Sequence, residues 1–129
     1  MIIQSEPKIV QKSAQEFYTF ASKPENHKNL MPSDLSFFES DEKGYTFQLN
    51  GMPKVALKVK ETIPNSKVIY TSAKDSLQFD LTVNINEIDE ETCRVDLVFE
   101  GSFNPFIKMM VEKPLNNFIQ NLSNNIEKI

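Results

Sequence analysis

The sequence predicts an α+β fold: a seven-stranded antiparallel sheet wrapped around a long C-terminal helix, with two short helices after the first strand. Three observations predict it. Between Leu35 and Phe99, apolar residues recur at a period of two, the signature of half-buried strands. After Asn104 the period changes to the helical 3.6 and holds to Ile129. Short turns join the strand-like segments, so neighbours in sequence pair antiparallel.

Residues 2–11 read as the first strand, and Pro7 places it at a sheet edge because proline has no N–H for a second ladder. Ser13-Ala14-Gln15-Glu16 is a capping box that starts a helix. Ala14, Phe17 and Ala21 share one face of it, and Pro24 stops it. A second short helix follows to about Asn29, and Pro32 ends that one. Strands 35–40 and 45–50 are joined by Asp41-Glu42-Lys43-Gly44, with Gly44 expected to supply a positive φ. Asn50-Gly51 is a hairpin signal. Val55, Leu57 and Val59 then alternate with lysines and Ala56, and Pro64-Asn65 makes the turn into a strand at 67–72.

The clearest strand is 77–85, with Leu77, Phe79, Leu81, Val83 and Ile85 on one face. After an acidic turn at 87–91, Cys93, Val95, Leu97 and Phe99 repeat the pattern. A sheet that is apolar on one face needs a cover. Asn104 as N-cap and Pro105 as first helical residue open that cover. Ile107, Val111, Leu115, Phe118, Leu122, Ile126 and Ile129 form its apolar stripe. About 24 residues at ~1.5 Å each make a rod of roughly 36 Å, enough to cross a sheet. Pro114 cannot donate to the Met110 carbonyl, so a kink or break is expected near 110–113. The piece before it, 106–111, is apolar almost all round and is expected to be enclosed on several sides.

Composition narrows the function. The 129 residues read as a single domain, 1–129, and such a chain can bury roughly two-thirds of its unfolded surface without a metal or disulfide. The net charge of −4 argues against nucleic acid as the partner. No apolar run is long enough for a membrane span, and residues 1–6 lack the pattern of a secretory signal. The single cysteine, Cys93, fits a reducing compartment, so a cytoplasmic location is expected. Its parity with Val95 marks it as a buried, unreactive thiol. His27, the only histidine, has polar neighbours and is expected to face solvent, with its replacement by Ala nearly neutral. No phosphate loop, calcium loop or zinc spacing is present, so no metal, no cofactor and no catalytic set is expected. Glu39 shares parity with Leu35 and Phe37, which makes it a candidate inward carboxylate.

The order strand, two helices, strands, long helix resembles the START-like helix-grip superfamily (SRPBCC) of polyketide cyclases, lipid-transport proteins and plant pathogenesis-related proteins. The N-terminal passage carries the most specific likeness. There a strand ending Lys8-Ile9-Val10 precedes a helix at 13–21, and Ser22-Lys23-Pro24-Glu25-Asn26 leads to Leu30-Met31-Pro32. The chain departs from some branches: it has no Trp and no active-site motif of the aromatic cyclases.

The resemblance implies a cavity between the concave sheet face and the helix, where relatives hold lipids, sterols, polyketides, quinones or hormones. The strand residues placed to line it are Tyr45, Phe47, Leu57 and Tyr70, with Phe79, Leu81, Val95 and Leu97. The C-terminal segment adds Phe106, Met110 and Phe118. Three functions follow as expectations: a carrier of a small hydrophobic molecule, a cyclase, dehydratase or hydrolase in the same cavity, or a ligand-free interaction module. Paired ionisable groups facing inward favour the enzyme and a polar-poor cavity the carrier. A filled interior with exposed Met109 and Met110 favours the module.

Overall fold

In the computed structural model, which describes residues 1–74 and 77–129, the alternating segments pair into one antiparallel sheet. The strands are β1 (Ile2–Gln4), β2 (Lys8–Val10), β3 (Leu35–Ser40), β4 (Gly44–Leu49), β5 (Val55–Ile63), β6 (Lys67–Ser72), β7 (Gln78–Glu87) and β8 (Cys93–Ser102). The order across the sheet is β1-β8-β7-β6-β5-β4-β3, with β2 also on β8. Eight strands replace the expected seven because the first one is split. Ser5 takes over the ladder at the split: its N–H donates to the Leu97 carbonyl at 2.9 Å, and its Oγ accepts from the Leu97 N–H at 2.8 Å.

Helix α1 (Ala14–Ser22) starts at the expected capping box, with both reciprocal hydrogen bonds present, and buries Ala14, Phe17 and Ala21. A 3-10 helix, Pro24–Leu30, follows it. Helix α2 (Pro105–Ile126) is capped by the Asn104 carboxamide oxygen, which accepts from the Ile107 N–H. It runs unbroken through Pro114. Met110, whose carbonyl has no N–H donor at Pro114, lies on an exposed turn of the helix.

The concave face of the sheet carries the core. Tyr45, Phe47, Leu57, Tyr70, Leu81, Val83, Val95 and Leu97 are all buried there. The second half of α2 closes over it with Phe118, Ile119, Leu122, Ser123 and Ile126. Its far end is tied to the 3-10 helix, since the Asn125 side-chain amide donates to the Leu30 carbonyl at 2.9 Å. The other face is polar: Asp80 accepts from Lys60 at 2.9 Å and from the Thr71 hydroxyl at 2.6 Å. No helix among the described residues is long and apolar enough to cross a membrane.

Four local expectations are corrected. Gly44 has no positive φ; it is required because a Cβ there would stand 1.9 Å from the Leu57 carbonyl oxygen of the paired strand. A bulge between Leu35 and Phe37 flips the parity of β3, so Phe38 packs on the core and Glu39 faces solvent. The piece 106–111 is not enclosed: Phe106 is 70%, Met109 81% and Met110 62% exposed. His27 is buried, only 2% exposed.

Candidate functional site

Between the sheet and the first half of α2, the apolar faces do not meet completely. They leave a pocket of about 40 Å³. Phe47, Leu57, Phe79, Leu81 and Phe99 form its floor on β4, β5, β7 and β8. Val111, Leu115 and Phe118 of α2 form its roof, and Met52 and Pro53 of the β4–β5 loop line one side. Every side chain lining it is apolar. Phe118 stacks on Phe47 at 4.7 Å between ring centres and Phe79 on Phe99 at 5.1 Å, so stacked aromatic pairs brace two sides.

Five of the expected lining residues, Phe47, Leu57, Phe79, Leu81 and Phe118, meet at this pocket. Tyr45 and Tyr70 do not; they are buried beside the 3-10 helix. Val95 is packed in the core, and Leu97 lines a separate small void. Phe106 and Met110 stand on the solvent side of α2, away from the pocket. Sequence reading passed over Phe99, Val111 and Leu115 as lining residues although parity and the helical stripe already placed them inward. Met52 and Pro53 lie in a loop, where no periodicity marks a direction.

The second feature is an aromatic cluster around His27. Its ring stacks on Tyr45 at 4.9 Å and meets Tyr70 edge-on at 4.7 Å. The imidazole Nε2 and the Tyr70 hydroxyl each lie 2.9 Å from the Ala21 carbonyl oxygen. Ala21 belongs to the last turn of α1, where carbonyls have no partner within the helix. Asn26 serves the neighbouring Phe20 carbonyl at 3.1 Å. His27, Tyr70 and Asn26 thus cap the end of α1 from outside it.

A carbonyl can only accept, so Nε2 carries the proton and Nδ1 presents a bare lone pair. Burial pulls the His27 pKa down from 6.5 to about 4, partly offset by the bond to Ala21. Burial also raises Tyr45 well above the usual phenol value, reinforced by Tyr70, and burial raises Tyr70. The whole cluster is therefore neutral at neutral pH. Cys93 is fully buried, and burial followed by the charge of Glu16 raises its pKa, which makes it an inert thiol. Among the described residues no three His, Cys, Asp or Glu side chains gather as a metal site.

No family model and no curated protein matches the sequence. Solved structures match over nearly the whole chain. A norcoclaurine synthase point mutant from Thalictrum flavum, in complex with a transition state analogue, superposes with a TM-score of 0.72 at 15% identity, covering 99% of this chain and 92% of that one. A START superfamily protein from Mycobacterium smegmatis gives 0.67 at 10% identity, covering 98% and 97%. The protein XoxI from Bacillus cereus gives 0.74 at 6% identity, covering 98% and 93%. The chain therefore has the START-like helix-grip fold.

Proposed function

We propose that this protein binds and carries a small hydrophobic molecule in the pocket between the sheet and the first half of α2. The lining supports the reading: a space ringed only by apolar side chains gives an apolar guest its whole contact surface and offers a polar one nothing. Its 40 Å³ admits only a few heavy atoms, so a larger guest has to displace the wall. The wall can yield on one side, because Met52, Val111 and Leu115 are only partly buried. Among the described residues, the buried polar side chains are Ser5, His27, Ser123 and the two core tyrosines, none of them a carboxylate or an ammonium.

One observation favours a second reading. Phe106, Met109 and Met110 form an exposed apolar patch, next to an open groove of about 820 Å³ between residues 1–4 and α2. Such a patch suits a protein partner. Fluorescence titration with N-phenyl-1-naphthylamine separates the two. The carrier reading expects saturable binding that Val111→Trp, which fills the pocket, abolishes. Binding that survives Val111→Trp and disappears in a Phe106→Ser, Met109→Ser double variant assigns the dye to the patch and overturns the carrier.

A further inference from the structure

Among the described residues, two buried side-chain polar atoms have no hydrogen-bond partner: His27 Nδ1 and the Tyr45 hydroxyl. Both residues are 2% exposed, so neither atom reaches bulk water. Leaving such a group unpaired destabilises the fold, and here two unpaired groups belong to stacked rings. They are complementary. Nδ1 can only accept, while the Tyr45 hydroxyl can donate. They do not satisfy each other, and a hydroxyl group carries both functions they lack, a donor for Nδ1 and an acceptor for Tyr45.

The surroundings connect this pair to the pocket. His27 lines an enclosed void of about 10 Å³, close to the space one oxygen atom needs. Leu81 forms part of the wall of that void and part of the wall of the apolar pocket, so the two spaces share a wall residue. From the other side, Tyr45 lies opposite Leu57 in the β4–β5 ladder and 6.2 Å from the Phe47 ring, and both of those residues line the pocket.

We propose that His27 and Tyr45 form the polar end of the ligand site, and that the site selects an apolar molecule ending in a single neutral hydroxyl. This rests on the carrier reading and names its ligand class. The apolar body fills the pocket, Leu81 turns aside, and the hydroxyl donates to His27 Nδ1 while accepting from Tyr45. A carboxylate or ammonium head is rejected, because the groups around His27 are two phenols, a backbone carbonyl and apolar side chains, with no counter-charge. A carbonyl or ether head satisfies only Tyr45 and leaves Nδ1 unpaired.

The test compares 1-hexanol, hexane and hexanoate as competitors of the bound dye. The proposal expects hexanol to bind about tenfold tighter than hexane, the worth of a net hydrogen-bond gain, and hexanoate not to bind. Tyr45→Phe, which swaps one buried ring for another, should lower the hexanol-to-hexane ratio, because the hydroxyl then keeps only its bond to Nδ1. A measurement that needs no variant is the 15N resonance of His27 Nδ1, which should shift on adding hexanol and stay in place with hexane. If hexane binds and hexanol gains nothing, the polar pair holds water only and the inference is overturned while the carrier stands. If neither compound displaces dye or binds, the carrier reading falls with it.

Discussion

His27 shows how a residue in a polar stretch of sequence comes to be buried. Its neighbours Glu25, Asn26, Lys28 and Asn29 suggest solvent, and on an α-helix that suggestion would be sound. The segment is a 3-10 helix, in which residues three apart share a face. Pro24, His27 and Leu30 have that spacing, and all three are buried. The Pro-x-x-His-x-x-Leu spacing was visible, but only the type of helix gives it meaning. Burial has a consequence for pH. With the folded pKa near 4 and the unfolded value at 6.5, the unfolded chain binds the extra proton in the window between them. Stability then rises with pH across this window and is lost as pH falls from 6.5 toward 4. From about pH 7 to pH 5, this one group removes about 2 kcal/mol. Urea melts at the two pH values should show that loss in the wild type and not in His27→Gln, whose amide can still donate to Ala21. An equal loss in both would mean that the histidine does not titrate as a buried base.

At the scale of elements, alternation and turn chemistry located the strands because each residue's side follows from its number in the chain. That logic fails wherever the ladder slips. The bulges at Leu35/Phe37 and Val59/Glu61 shift parity by one, and nothing in the local composition announces them. The first shift turned Glu39 outward and Phe38 inward, onto Tyr45 at 5.4 Å. The stripe on α2 was legible for its second half, where Phe118, Leu122 and Ile126 are buried as expected. Ile119 and Ser123 are buried too, because this half is gripped over a wider arc than one stripe. Ser123 is small enough to approach the split first strand, where its Oγ lies 3.5 Å from the Glu6 carbonyl oxygen. Phe118 sits at the junction of core and pocket, 5% exposed and stacked on Phe47. Phe118→Ala should cost about 3–5 kcal/mol in denaturant melts, as a large buried aromatic whose cavity the rigid sheet cannot close. A cost under about 1 kcal/mol would show that α2 does not pack as described.

Across the whole molecule, these packing differences form a gradient along α2 that the fold places over the pocket. The second half is held by the core, by Ser123 and by Asn125; the first half has only the partly buried Ile107, Val111 and Leu115 beneath it. Pro114 lies between the halves, where one backbone hydrogen bond is missing. The order of elements was enough to place α2 over the sheet. Sequence hydrophobicity at 106–111 pointed to enclosure, because a list of apolar residues does not reveal which of them a partner element reaches. Since the pocket lies under the loosely held half, opening of that half lifts its roof. Local opening costs least where few apolar groups are buried. Amide exchange should therefore be fastest in α2 before Pro114 and slowest from Phe118 to Ile126. Pro114→Ala restores the donor to Met110, and should slow exchange in the first half and both uptake and release of the apolar dye. It should do so more than it changes the dye's affinity, because the walls of the bound state stay the same. Uniform exchange along α2, or unchanged dye kinetics in a well-folded Pro114→Ala protein, would place the entrance elsewhere and leave Pro114 as a feature of packing alone.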